Sequence, residues 1–158
     1  MKERKRDRGP MVAVIGGGAV DEETYRSAVE VGRGLARGGA TVICGGLGGV
    51  MAAVCEGVRE AGGLAVGVLP GTDAGAANPF VDVAIPTGMG DARNVIVVRS
   101  GCVVVAVGGS HGTLSEMAFA LKFGIPVVSL GSWEVDPAVE VASGPQDAVA
   151  RALGHCGR

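Results

Sequence analysis

The chain has 158 residues, 47% of them hydrophobic but only 3% aromatic, with 29 glycines and a formal net charge of −2. That length suits one domain whose core is built from Val, Ala, Leu and Ile. No run approaches the roughly 20 apolar residues of a membrane helix, and the glycines lack a collagen-like period.

Residues 1–10, MKERKRDRGP, hold five basic and two acidic residues, which leaves residues 11–158 with a net charge of −5. We read residues 1–10 as a solvated, disordered basic tail and residues 11–158 as a single domain. An acidic body predicts no nucleic-acid partner, and the head lacks the separate apolar segment of a signal peptide. Cys44, Cys55, Cys102 and Cys156 form no CxxC pair and no zinc spacing. Cys44 and Cys102 fall in apolar runs and are expected as buried, inert thiols. A cytoplasmic location with no membrane partner follows as the expectation.

In chain order, the apolar runs Met11–Ile15, Thr41–Cys44, Leu64–Leu69, Cys102–Val107 and Pro126–Leu130 read as strands, with Val81–Ile85 as a shorter sixth. They are Val/Ile-rich and nearly continuous, the pattern of parallel strands covered on both faces. Helices are predicted at Glu22–Arg37, Val50–Ala61, Asp91–Ser100, Thr113–Phe123 and Gln146–Leu153. The first has Asp21 as its cap, and the first two stop at Gly38-Gly39 and Gly62-Gly63. Strand–helix alternation predicts an α/β, Rossmann-like, doubly wound and mostly parallel sheet in three layers. Pro70–Pro79 is the longest irregular stretch and is expected to be a mobile lid.

Ligands of such sheets bind beyond the carboxyl ends of the strands. Three glycine clusters sit there: Gly16-Gly17-Gly18, Gly45-Gly46-Leu47-Gly48-Gly49, and Gly108-Gly109-Ser110-His111-Gly112-Thr113. Glycine lets backbone N–H groups approach an anion, and the following helix start adds a favourable dipole. The predicted ligand-binding set is Gly16, Gly17, Gly18, Gly45, Gly46, Gly109, Ser110, His111, Gly112 and Thr113, with a phosphate-bearing small molecule as the partner. No cluster reads GxGxxG, no acidic residue ends the second strand and no Walker lysine is present, so neither NAD nor ATP hydrolysis is indicated. No metal site is expected.

The run Gly45–Met51, then Ala61-Gly62-Gly63 and Gly67–Pro70, and the stretch from Met89 through Arg93 to Glu116 resemble the LOG family of lysine decarboxylase-like proteins. That family includes cytokinin riboside 5′-monophosphate phosphoribohydrolases and is similar in fold to molybdenum cofactor carrier proteins. The family signature is PGGxGTxxE. Gly109, Gly112, Thr113 and Glu116 match it, while Gly108 replaces its proline and Ser110 its second glycine. The family's Arg-Lys pair is Arg93-Asn94 here, and Ile96 stands where the hydrolases usually have glutamate.

The resemblance implies Arg93 and Glu116 as catalytic residues of a nucleoside 5′-monophosphate phosphoribohydrolase. It also implies the alternative of a non-catalytic carrier or sensor for a phosphorylated pterin such as molybdenum cofactor. No cofactor is required in either case; molybdenum cofactor would be cargo. Spacing alone leaves a second role open for Glu116, because Thr113-Leu114-Ser115-Glu116 has the form of a capping box. His111 is expected as an exposed loop side chain, and His155 as a residue without a role. Past Glu116, the helix Thr113–Phe123 has Lys122 as its one polar residue. An outer helix so apolar needs a second cover, so a homo-oligomer, dimer or tetramer, is expected. The resemblance implies the same.

Overall fold

A computed structural model describes residues 9–157. The expectation for the basic tail falls almost wholly on residues 1–8, outside the described residues; the carbonyl of Pro10 accepts a hydrogen bond from the Thr41 N–H at 2.8 Å. The strands are β1 (Met11–Gly16), β2 (Thr41–Cys44), β3 (Leu64–Leu69), β4 (Val83–Pro86), β5 (Val104–Val107), β6 (Val127–Leu130) and β7 (Glu140–Val141). The helices are α1 (Glu22–Arg37), α2 (Val50–Glu60), α3 (Arg93–Ser100), α4 (His111–Lys122) and α5 (Pro145–Cys156). The seven strands form one sheet in the order β4-β3-β2-β1-β5-β6-β7, and every pairing is parallel.

The three layers follow from alternation along the central strands. Val12, Val14, Val42, Cys44, Val103 and Val105 point to one face and pack with α1, α2 and α5. Ala13, Ile15, Ile43, Val104 and Ala106 point to the other and pack with α3 and α4. Both faces are dry, which is why these strands read as unbroken apolar runs. The predicted stop and start signals hold at α1: the Asp21 carboxylate accepts from the Thr24 N–H at 2.8 Å, and Gly38 caps the far end.

Three expectations need correction. Cys102 is not a buried free thiol. β5 begins only at Val104, so Cys102 lies before the strand, exposed at the amino edge of the sheet. The end of α5 reaches the same edge, and Cys102 is disulfide-bonded to Cys156. With this pair oxidised, the cysteines no longer point to a reducing compartment. Cys44 and Cys55 are free and buried, as expected for Cys44. His155 is not idle: its Nε2 lies 2.9 Å from Glu140 Oε1 and ties α5 to β7, a strand too short to show as an apolar run. Finally, the Pro70–Pro79 segment is tethered. Asn78 donates through its backbone N–H to the Gly46 carbonyl at 2.9 Å and through Nδ2 to the Leu47 carbonyl at 3.0 Å. No helix among the described residues is long and apolar enough to cross a membrane.

Candidate functional site

β1 lies between β2 and β5, so the three glycine clusters, far apart in sequence, emerge side by side at one sheet edge. The chain leaves β1 toward α1 on one face and leaves β5 toward α4 on the other. This is the switch point at which an open α/β sheet leaves a crevice. A cleft of about 150 Å³ occupies it, lined by Val14, Ile15, Gly16, Gly45, Met51, Asp91, Arg93, Asn94, Ser110, Gly112, Thr113 and Glu116.

Of the predicted residues, Gly16, Gly45, Ser110, Gly112, Thr113, Arg93 and Glu116 therefore come together. Gly17, Gly18, Gly46, Gly109 and His111 do not line the cleft; they build the loops behind and beside it. The Gly17 carbonyl accepts from the Val50 N–H at 3.0 Å, which spends one free donor of the α2 start on the neighbouring loop. Gly16 sits where a Cβ would lie 2.5 Å from the Val107 carbonyl oxygen and 2.6 Å from Val50, so no side chain fits between β1, β5 and α2.

The start of α4 differs from the capping box expected at Thr113. The helix begins at His111, Ser110 is its cap residue, and the Ser110 N–H faces Thr113 Oγ1 at 3.4 Å. Glu116 is thereby moved into the second turn, where it cannot fold back on the helix start. It points inward instead and is 8% exposed. Its carboxyl makes no hydrogen bond or ion pair among the described residues. Burial pushes its pKa up from the ordinary 4.5 to about 7, against the opposing pull of the Arg93 guanidinium.

Arg93 is the single cation among the lining residues. Its Nε donates to the Val68 carbonyl at 3.0 Å, and its Nη1 donates to Asn94 Oδ1. These bonds hold the guanidinium beside Gly45, where a Cβ would come within 2.8 Å of Nη2. Asn94 is itself 8% exposed. In the sequence it stands out only as a lost lysine; the structure makes it the group that orients Arg93. Asp91 and Met51 also line the cleft without a sequence signal that marks them, although Asp91 stands two residues before Arg93. The cleft thus offers backbone N–H groups at a helix start, one fixed guanidinium, the Asp91 carboxyl, and the Glu116 carboxyl poised between neutral and charged. Such a set suits an anion, with Glu116 able to donate a hydrogen bond when protonated.

Residues 9–153 match the SLOG cluster4 family. The chain belongs to this family. A protein of Archaeoglobus fulgidus, itself uncharacterized, is 47% identical over 138 residues, covering 87% of this chain and 91% of that protein. Among solved structures, the molybdenum cofactor binding protein of the phototrophic bacterium Rippkaea orientalis superimposes with a TM-score of 0.87 at 34% identity. That match covers 92% of this chain and 96% of the other. The molybdenum cofactor carrier protein of Chlamydomonas reinhardtii gives 0.86 at 36% identity, covering 96% of this chain and all of the other. This SLOG chain therefore shares its architecture with proteins of that kind over nearly its whole length.

Proposed function

We propose that this chain binds a phosphorylated small molecule in the switch-point cleft and acts as a carrier whose cargo is the molybdenum cofactor, a phosphorylated pterin. The observation that carries the reading is the likeness at 34 and 36% identity, over more than nine-tenths of the chain, to proteins named for that cofactor. The cleft supports it. In this reading the phosphate rests at the start of α4 on the N–H groups of Gly112 and Thr113, with Arg93 as counter-charge and Glu116 donating from its protonated form. The test is to incubate the chain with molybdenum cofactor released from a molybdoenzyme, separate it by gel filtration and measure molybdenum by mass spectrometry. Stoichiometric co-elution is expected; molybdenum confined to the small-molecule fractions sinks the reading.

One observation favours a second reading. Arg93 and Glu116, the two residues that the hydrolase resemblance singles out, line the same cleft. A phosphoribohydrolase needs a carboxylate at the anomeric carbon, as glycosidases do. With its pKa raised to about 7 by burial, Glu116 is only partly ionised at neutral pH, which suits binding better than that charge-stabilising role. Release of free base from AMP, read by chromatography, overturns the carrier reading in favour of the enzyme.

The reading extends to a homo-oligomer joined through α4. Met117 and Ala120 of that helix are buried against the sheet, but Ala118 is exposed and Leu114, Leu121 and Phe123 are only half covered. Arg99 of α3 lies over the Phe123 ring at 3.8 Å, which extends the same surface. Light scattering at micromolar concentration is expected to give a mass of at least two chains, and Ala118→Arg to reduce it to one. A wild-type mass of one chain overturns this arrangement.

A further inference from the structure

The cleft is small for the ligand it is proposed to hold. At about 150 Å³ it accommodates a phosphate and its ester linkage, whereas sites that enclose a whole nucleotide-sized ligand run from roughly 300 Å³ upward. No aromatic side chain lines it. A heteroaromatic ring attached to the phosphate must therefore lie over the rim.

The rim carries the chain's one tryptophan. Beyond β6, Gly131-Ser132-Trp133 turns back beside the loop that follows β5, and the indole N–H of Trp133 donates to the Ser110 carbonyl at 3.0 Å. Gly109 fits closely beneath: its φ is +157°, and a Cβ there would lie 3.1 Å from Trp133 Nε1 and 3.0 Å from Ser132 Oγ. The indole is thus fixed in orientation, yet 37% of Trp133 is exposed. Its plane lies within 22° of the His111 ring, with centroids 6.3 Å apart. His111 is exposed and stands between Ser110 and Gly112, two lining residues of the cleft.

We propose that Trp133 and His111 form an aromatic platform at the cleft rim that stacks the planar heteroaromatic ring of a bound phosphate ester. The inference rests on the phosphate site proposed above. Two flat, nearly parallel faces, the indole held by its bond to the Ser110 carbonyl and the imidazole stacked beside it, lose little freedom when a ring settles on them, and stacking tolerates any ring with a π face.

The test measures AMP, a pterin bearing a side-chain phosphate, and ribose 5-phosphate by calorimetry and by the emission of Trp133. At least one ring-bearing ester is expected to bind about tenfold or more tighter than ribose 5-phosphate and to quench the indole. Trp133→Ala is expected to erase that difference while leaving ribose 5-phosphate binding unchanged. Trp133→Phe, which keeps a ring but loses the N–H bond to Ser110, is expected to retain most of it, and His111→Ala to lose part. If Trp133 is only a brace, Trp133→Phe and Trp133→Ala weaken all three ligands alike, and the platform is refuted. It is refuted equally if neither ring ester binds tighter than ribose 5-phosphate. Should none of the three bind the wild type, the phosphate site itself fails and the platform with it.

Discussion

Gly112→Val is expected to weaken ribose 5-phosphate binding at least tenfold while leaving the fold intact. Gly112 is the second residue of α4, exposed, and a lining residue of the cleft. A Cβ there meets nothing closer than Ser110 Oγ at 3.8 Å, so the protein tolerates the added carbons. Glycine is a poor helix former, which makes the replacement neutral or slightly favourable for α4. The isopropyl group instead fills space that an anion needs to reach the N–H groups of the first turn. Tenfold corresponds to about 1.4 kcal/mol. Gly16→Ala is the contrasting control: its Cβ collides with the Val107 carbonyl and Val50, and the expected result is lower stability. Calorimetric titration with a parallel urea melt checks both. Unaltered affinity in a folded Gly112→Val chain removes the start of α4 from the site.

Glu116→Gln is expected to stabilise the protein above pH 7 and to do nothing at pH 4. The sign follows from proton linkage. The unfolded carboxyl titrates near 4.5 and the folded one near 7. Below 4.5 both states are protonated and the residue is neutral to stability. Between 4.5 and 7 the native state holds the extra proton, so stability falls as pH rises, and above 7 the deficit is complete. A tenfold change in proton affinity is worth roughly 1.4 kcal/mol, so the gap between 4.5 and about 7 makes the deficit on the order of 3 kcal/mol. Glutamine has nearly the same shape and no charge to desolvate, so urea melts at pH 4 and pH 8 are expected to diverge by that amount. A gain that is the same at both pH values excludes burial of an ionisable group as its cause.

The same carboxyl couples to the ligand. A phosphate in the cleft opposes ionisation of Glu116, so above pH 7 the wild type must take up a proton to bind. Its affinity relative to Glu116→Gln is expected to fall by up to about tenfold per pH unit there. Referring each measurement to the variant at the same pH cancels the titration of the phosphate itself.

The sequence by itself determined the parallel, doubly wound architecture. The runs at Met11–Ile15, Thr41–Cys44 and Leu64–Leu69 coincide with β1, β2 and β3 to within a residue, because a strand buried on both faces must be apolar at every position. Asp21 and Gly38-Gly39 likewise marked both ends of α1, since capping is a local matter of one side chain or of one positive φ angle, here +81° at Gly39. It also offered the glycine clusters as candidates, because glycine lets backbone N–H groups approach an anion, while Arg93 and Glu116 were marked by the family resemblance.

What the tertiary structure alone decided was which groups meet, and in what state. The strand order places the loops after β1, β2 and β5 together, and no local pattern encodes a pairing between strands so distant along the chain. The true start of α4 at His111, two residues before the expected start at Thr113, turned Glu116 from a capping candidate into a buried acid. A pKa near 7 comes from desolvation by neighbours remote in sequence. Asn94 gained its role through contact with Arg93, and Trp133 through contact with Ser110. Cys102 and Cys156, 54 residues apart, became partners because β5 starts late and α5 ends at the same edge of the sheet. Spacing in sequence carries no information on such closures, for the distance between two thiols is set by the packing of every element between them.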